Sequence, residues 1–221
     1  MSLKSNLTVR FVVGISVLGS VFFIPAGSFR FWQAWVYIGI SVVPALIAFI
    51  YFYKHDPKVL ERRSLLKEKV PEQKRIMIFI YVTWLIAILL PGFDHRYGWS
   101  RLPLWLTVLS QLCVLSGILM AYWVVTINRF AARTIQVESG QTVISEGPYR
   151  TIRHPMYLGM CVMWLFTPLA LGSYVTLPAF GLFIPLMVLR LLNEEEVLRK
   201  ELAGYNEYCT RTLFHLVPHV W

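Results

Sequence analysis

The chain has 221 residues, of which 57% are hydrophobic and only 15% are charged, and its mean hydropathy is +0.57. A soluble domain of this size carries about a quarter charged residues, so the composition excludes a soluble globular domain, a disordered chain and a disulfide-rich secreted scaffold. The three cysteines, Cys113, Cys161 and Cys209, are too far apart for a CxxC metal site. The composition therefore predicts an integral membrane protein that binds no metal.

Six apolar runs predict an all-α, polytopic transmembrane helical bundle. The first run follows Lys4 and Arg10 as in a signal peptide, but no small-residue cleavage site occurs before Arg30, so we interpret it as a membrane helix. Three runs are close to the lower spanning limit of about 17 residues, so we expect five or six membrane helices. The six runs are 9–25, 31–53, 76–91, 104–127, 156–172 and 174–192, and the short ones are the first, third and fifth.

The net charge of +9 comes from basic residues at the ends of the apolar runs, which favours anionic membrane lipids over nucleic acid as the partner. If the N-terminus is cytoplasmic and all six runs cross the membrane, 18 of the 21 Lys and Arg residues lie inside, and only Arg30, Arg96 and Arg101 lie outside. This asymmetry predicts that both termini and any active site are cytoplasmic. The chain divides into N-terminal membrane helices (1–127), with a basic cytoplasmic loop at 54–75, and a more polar region (128–221).

The basic loop contains Leu60, Leu65 and Leu66 close to one face of a helix, which is typical of an interfacial amphipathic segment. Anchoring to anionic headgroups is sufficient to explain it. No catalytic role follows from the loop alone.

The first motif of the polar region is Arg153-His154-Pro155, directly before an apolar helix. Proline is well tolerated at the first helical position, so Pro155 predicts the helix start there. Arg153 and His154 then lie at the positive end of a helix dipole, an arrangement suited to a carboxylate or phosphate.

The second motif is Glu194-Glu195-Glu196, at the cytoplasmic end of the last apolar run. Carboxylates at a membrane boundary are costly, and successive helical residues point about 100° apart, so at most one or two of the three can face a common pocket. Which of them does so remains open. Apolar residues then recur at helical spacing and predict a C-terminal amphipathic helix, and they are Leu198, Leu202, Tyr205, Tyr208 or Cys209, and Leu213.

Taken singly, each motif also fits a structural role: a basic anchor, a solvated acidic face or an interfacial aromatic belt. Their combination is more specific. ArgHisProxTyrxGly at 153–159, GluGlu at 194–195 and TyrxxTyrxxArg at 205–211 resemble the isoprenylcysteine carboxyl methyltransferase and phospholipid methyltransferase superfamily. The resemblance covers about 128–221.

The resemblance implies an integral membrane methyltransferase that uses S-adenosylmethionine, with 128–221 as its cofactor-binding catalytic region. It implies no metal. Catalytic roles fall on Glu195 and on Arg211, which matches an arginine associated with the substrate carboxyl group. Cofactor-binding roles fall on Arg153, His154, Pro155, Tyr157, Gly159, Glu194, Glu195, Tyr205 and Tyr208.

The methyl acceptor remains open. Arg211 favours a carboxylate on a lipidic or prenylated acceptor, as in protein-S-isoprenylcysteine O-methyltransferases, whereas a phospholipid amine N-methyltransferase is the first alternative. A second is an NADPH-dependent membrane reductase of the sterol type, whose similar motif has Asn where this chain has Met156. A transporter is disfavoured because the apolar runs are almost free of ionisable residues.

Overall fold

The computed structural model describes residues 3–64, 71–131, 137–138 and 140–221. Within these residues the chain is all-α, as predicted, and an isolated parallel bridge between Ile152 and Phe214 is its one β-type contact. A short 3-10 helix, Gly147–Arg150, precedes the sixth α-helix. The α-helices are α1 (Leu3–Ala26), α2 (Trp32–His55), α3 (Pro57–Ser64), α4 (Pro71–Tyr97), α5 (Leu104–Ile127), α6 (Pro155–Ala170), α7 (Leu177–Gly181), α8 (Phe183–Glu201) and α9 (Tyr205–Arg211).

The predicted polytopic membrane bundle is confirmed. Among the described residues, four helical segments are long and apolar enough to cross a membrane: Trp32–His55, Arg75–Tyr97, Leu104–Ile127 and Leu177–Glu201. Two shorter apolar helices, Val12–Ala26 and Pro155–Ala170, complete the six predicted runs. The seven-residue α9 is the predicted C-terminal amphipathic helix, because Tyr205, Tyr208 and Cys209 are buried along one side of it.

Two helices differ in length from the apolar runs. The run at 76–91 was predicted to be near the lower spanning limit, which is wrong, because α4 continues past Pro91 to Tyr97. The extension includes Asp94, whose buried carboxylate accepts hydrogen bonds from Ser100 and Ser173 and so does not end the helix. The run at 174–192 is divided at Leu182 into α7 and α8, and α8 continues through the glutamates to Glu201.

Close packing of α5 against α6 fixes the position of the Arg153 motif. The two helices meet at Gly117 and Gly159, where a Cβ at Gly117 would lie 2.5 Å from the Gly159 carbonyl oxygen, and one at Gly159 would lie 2.8 Å from that of Gly117. Only glycine permits this approach. The interface therefore holds α6 rigidly against a helix from the N-terminal region.

Helix α3 covers the end of the bundle at which α6 begins. Val59 of α3 is buried with Phe52 and Val125, and Met156 packs against the same cluster. Leu60 of the predicted interfacial segment packs there too, whereas Leu65 and Leu66 lie outside the described residues. The start of α6 is thus shielded by apolar side chains from three helices.

Candidate active site

The start of α6 has the predicted geometry. His154 is the N-cap residue and Pro155 is the first helical residue. Pro155 and both preceding side chains, Arg153 and His154, are buried. The motif is therefore part of the interior of the protein and not a solvated basic anchor.

The C-terminal segment runs alongside this motif. The Arg153 amide donates to the Phe214 carbonyl oxygen over 2.9 Å, and the His154 amide donates to that of His215 over 3.0 Å. The Arg153 guanidinium continues the contact, since Nε donates to the Thr212 carbonyl and Nη2 to the Leu213 carbonyl, each over 2.7 Å. Arg153 thus ties the C-terminal segment to the start of α6.

Glu195 is the centre of a buried charge cluster and is 4% exposed. Its carboxylate accepts from Arg153 Nη1 over 2.9 and 3.0 Å, and its Oε1 lies 3.0 Å from His154 Nε2. Arg199 Nη2 is 3.3 Å from Glu195 Oε2. A buried carboxylate is stable when several cationic or polar partners surround it. The anion held by the Arg153–His154 pair is therefore the chain's own Glu195.

The three adjacent glutamates diverge, as the 100° spacing predicts. Glu195 points to the Arg153 cluster, and Glu196 is exposed and pairs with Lys200 over 2.5 Å. Glu194 accepts a 2.5 Å hydrogen bond from the hydroxyl of Tyr157, which is 8% exposed. Glu194 thus connects α8 to the first turn of α6, and Glu195 connects α8 to the two residues that precede α6.

Arg190 is a site residue that the sequence interpretation overlooked. It lies one helical turn before Glu194, is only 7% exposed, and its guanidinium interacts with the Tyr157 hydroxyl. At the end of an apolar run it resembled a simple basic anchor. The available signal was its spacing, because residues i and i+4 share a helix face and Glu194 belongs to the motif. A buried cation at this depth is a functional candidate.

Two tyrosines of α9 line the other side of the cluster. Gly204, with φ +82°, allows the chain to turn between α8 and α9. The Tyr208 hydroxyl donates to the Tyr149 carbonyl oxygen over 2.8 Å, whereas no described residue hydrogen-bonds to the buried Tyr205 hydroxyl. Burial raises the pKa of both phenols, so they remain protonated donors. Among the described residues the Tyr205 hydroxyl has no oxygen or nitrogen partner, and it interacts with the Cys209 thiol.

His215 is the second overlooked residue. Its Nε2 lies 3.3 Å from Arg153 Nη1 and 3.4 Å from Glu195 Oε2, and its ring stacks on Trp221 with centroids 4.5 Å apart. Burial lowers the pKa of His215, Glu195 opposes this shift, and the charge of Arg153 adds to it. No local sequence signal marks His215, because its position depends on the non-local contact between the C-terminal segment and α6.

Two predicted site residues lie apart from this cluster. Arg211 is on the outer side of α9, where it pairs with Glu207 and has a side chain that is 75% exposed. Gly159 faces α5, so the space beside its Cα is filled by Gly117. The structure therefore brings together Arg153, His154, Pro155, Tyr157, Glu194, Glu195, Tyr205 and Tyr208, but not Arg211 or Gly159.

The cluster combines a fixed ion-pair network with groups suited to a ligand. Glu194, Tyr205 and Arg190 offer a carboxylate, an unpartnered hydroxyl and a buried cation. Within the described part of the chain, no group of three or more His, Cys, Asp or Glu side chains could hold a metal ion.

Comparison with known proteins places this geometry in a family context. Residues 105–203 match the model of the phospholipid methyltransferase family. The fold matches that of a eukaryotic intramembrane Ras methyltransferase, an isoprenylcysteine carboxyl methyltransferase, with a TM-score of 0.53 and 17% identity over 100% of this chain and 88% of the other. The predicted superfamily resemblance is confirmed.

The superfamily match extends from α5 to the end of α8, so it includes the Arg153 motif and both glutamates but not α9 or the C-terminal segment. A Delta(14)-sterol reductase of Mus musculus is 33% identical over 91 residues, which are 40% of this chain and 22% of the reductase. The chain thus spans about a fifth of the length of that relative.

Proposed function

We propose that this protein transfers a methyl group from S-adenosylmethionine to a lipidic or prenylated acceptor. The observation that carries the proposal is the meeting of the two superfamily motifs in one buried cluster, through the Arg153–Glu195, His154–Glu195 and Tyr157–Glu194 contacts. The family match over 105–203 and the shared fold with the Ras methyltransferase support the same reaction class.

The residues present fit S-adenosylmethionine. Its ribose has two hydroxyl donors that suit the Glu194 carboxylate, and its amino and carboxylate groups offer partners for the unpartnered Tyr205 hydroxyl. Arg153, His154 and Glu195 hydrogen-bond mainly to one another and to the C-terminal segment, so we assign them the wall of the cofactor site. In this arrangement Glu195 is a positioning residue, which acts by holding Arg153 and His154 in place.

S-adenosylmethionine supplies a methyl group on a sulfonium centre when it is bound. The contribution of the protein is alignment of the acceptor with that group, which can account for much of the acceleration of an in-line displacement. Apolar side chains of α2, α3 and α5 shield the start of α6 from water. Exclusion of water favours a reaction in which opposite charges are neutralised.

We assign Arg190 the role of holding an anionic acceptor, since it is the buried cation beside Glu194 and Tyr157. Arg211, exposed on α9, is suited to attract such an acceptor at the rim of the site. This pair of arginines favours a carboxylate, as on a prenylated cysteine, over a phospholipid amine, whose ammonium form Arg190 would repel. The family description keeps the amine as the alternative acceptor. We further propose a cytoplasmic location for the site and both termini.

One observation favours a second candidate function. The 33% identity to the sterol reductase over 91 residues makes NADPH the second candidate ligand. Isothermal titration of the detergent-purified protein with S-adenosylhomocysteine and, separately, with NADPH distinguishes the two. We expect saturable binding of S-adenosylhomocysteine alone, weakened by Glu194→Gln and by His154→Ala. Binding of NADPH alone would assign the chain to the reductases.

Acceptor identity is tested by methyl incorporation in the same micelles. A prenylated cysteine and phosphatidylethanolamine are supplied in parallel with labelled S-adenosylmethionine, and label is measured in each lipid fraction. We expect label in the prenylated cysteine. Label in phosphatidylethanolamine alone would show that the acceptor is an amine while leaving the methyltransferase class intact.

A further inference from the structure

The end of the bundle opposite the candidate active site contains a polar cavity of about 280 Å³. It lies where α2 begins and where α4 and α6 end, and we call it the distal pocket. Since α6 has 16 residues, the pocket is roughly 24 Å from the Arg153 motif. Its lining includes Gln33, Asp94, His95, Ser100, Arg101 and Gly172.

Asp94 gives the distal pocket a buried negative charge, beside the His95 ring and in the same cavity as Arg101. Asp94 is 2% exposed. Its carboxylate accepts hydrogen bonds from the Ser100 amide over 2.7 Å, from the Ser100 hydroxyl over 2.6 Å and from the Ser173 hydroxyl. These donors are neutral, and no described basic residue forms a salt bridge with Asp94. A buried carboxylate without a cation is costly, and within a membrane protein it is a functional candidate.

Gln33 contributes a side-chain oxygen to which no described residue donates a hydrogen bond. This Oε1 atom is buried. The backbone around it is fixed, because Gln111 Nε2 donates to the Gln33 carbonyl over 3.2 Å and to the Ala170 carbonyl over 2.7 Å. Buried amide oxygens are normally hydrogen-bonded, so this atom indicates a ligand or solvent donor in the pocket.

The surroundings of the pocket indicate the depth at which its ligand lies. Trp32, Tyr97, Trp99 and Trp105 are next to it in sequence or on adjoining helix ends, and they are 41%, 60%, 54% and 66% exposed. Exposed Trp and Tyr side chains concentrate at the level of lipid headgroups. Arg101, on the pocket wall, adds a guanidinium that suits a phosphate at that level.

We propose that the distal pocket binds the phosphoethanolamine headgroup of a membrane phospholipid. The primary ammonium is held by the Asp94 carboxylate and the Gln33 Oε1 atom, and the phosphate is held by Arg101. A choline headgroup has no N–H donor for Gln33, and a glycerol headgroup has no positive charge for Asp94. The bound lipid is a structural ligand of the opposite leaflet and is not the methyl acceptor.

Native mass spectrometry of the full chain in detergent tests this proposal with short-chain phosphatidylethanolamine, phosphatidylcholine and phosphatidylglycerol. We expect the first to bind about tenfold more tightly than the other two, the effect of one buried hydrogen bond or ion contact. Gln33→Leu should reduce that preference, whereas Arg101→Gln should weaken retention of all three lipids alike, because each of them carries a phosphate. Because no described residue hydrogen-bonds to the Gln33 side-chain oxygen, Gln33→Leu should leave the thermal midpoint of the delipidated protein unchanged or higher.

Glu194→Gln is the matched control, since it alters the candidate active site and not the distal pocket. The phosphatidylethanolamine preference should persist in this variant. Equal retention of the three lipids, a preference that Gln33→Leu leaves intact, or undiminished retention of all three lipids in Arg101→Gln would overturn the proposal. Loss of the preference in Glu194→Gln alone would also overturn it, because the lipid would then occupy the active site. Failure of S-adenosylhomocysteine to bind would contradict only the proposed methyltransferase function.

Discussion

The two ends of the bundle each contain a buried carboxylate, but the partners of the two carboxylates differ. At the candidate active site, Glu195 is surrounded by Arg153, His154, Arg199 and His215, all within 3.4 Å. At the distal pocket, Asp94 is equally buried, but its hydrogen-bond donors among the described residues are two serine hydroxyls and one backbone amide. Because Glu195 forms ion pairs within the chain, it stabilises the fold, and we call this the framework end of the bundle. Asp94 forms no described salt bridge, so its charge is suited to a ligand. The comparison predicts a different response at each end.

The largest expected effect comes from replacing each carboxylate by its amide. Glu195→Gln leaves Arg153 buried without its counter-charge and should lower the free energy of unfolding by about 3 kcal/mol, the cost of breaking one partner from a buried pair. Asp94→Asn keeps an acceptor, and the serine hydroxyls can rotate to accept as well as donate. It should cost less than about 1 kcal/mol.

Unfolding in detergent, followed by circular dichroism, measures both variants. If the two variants lose similar amounts of unfolding free energy, Glu195 and Asp94 do not differ in their contribution to the fold, and the comparison fails.

The sequence predicted the framework end well because its signals are local. Pro155 marked the start of α6, and the 100° spacing of helical residues predicted that at most one or two of the three glutamates would face a common site; Glu196 is the exposed one. Which glutamate faces inward depends on the rotation of α8 about its axis, and packing decides that rotation. The sequence did not predict His215, because its contact with Arg153 joins residues 62 positions apart and depends on tertiary packing.

The distal pocket left almost no sequence signal. Asp94 and Gln33 are isolated polar residues near the ends of apolar runs, and 61 positions along the chain separate them. Only the packing of α2, α4 and α6 brings them to one cavity. Arg190 was overlooked for the opposite reason, because the positive-inside pattern already accounted for it. For charged residues at helix ends, the sequence alone therefore distinguishes poorly between membrane anchoring and a functional role.

The arginines at the two ends provide the second comparison. Arg190→Leu should reduce methyl transfer by about 100-fold, because the loss of a buried charge partner costs 2 kcal/mol or more. Arg211→Ala should reduce it only several-fold, as expected for a rim charge, and should spare cofactor binding. Arg101→Leu, at the distal pocket, should leave the rate unchanged.

Single-turnover rates with labelled S-adenosylmethionine, together with S-adenosylhomocysteine titrations, test the three variants. Equal loss of cofactor affinity in Arg190→Leu and Glu194→Gln would contradict the assignment of Arg190 to the acceptor.

The unpartnered polar atoms give the third comparison. Tyr205→Phe removes a buried hydroxyl that no described residue hydrogen-bonds, as Gln33→Leu removes such an amide oxygen. Both substitutions should therefore leave the stability of the ligand-free protein nearly unchanged. Tyr205→Phe should weaken S-adenosylhomocysteine binding by about tenfold, the effect of one hydrogen bond, whereas Gln33→Leu should not affect it. If Tyr205→Phe binds with wild-type affinity, the tyrosine serves only packing.

The smallest expected effect is a pH dependence confined to the framework end. Because burial lowers the pKa of His215 below its ordinary value of 6.5, the folded chain binds fewer protons there than the unfolded chain. Its contribution to stability is therefore present above about pH 6.5 and is lost as the pH falls towards the folded pKa.

His215→Phe keeps an aromatic ring against Trp221 but has no proton to gain. Between pH 7.5 and 5.5 the thermal midpoint of the wild type should fall by of the order of 1 °C more than that of His215→Phe. A larger fall in the variant would mean that protonated His215 stabilises the Glu195 cluster instead, and that the attraction of Glu195 outweighs burial and the charge of Arg153.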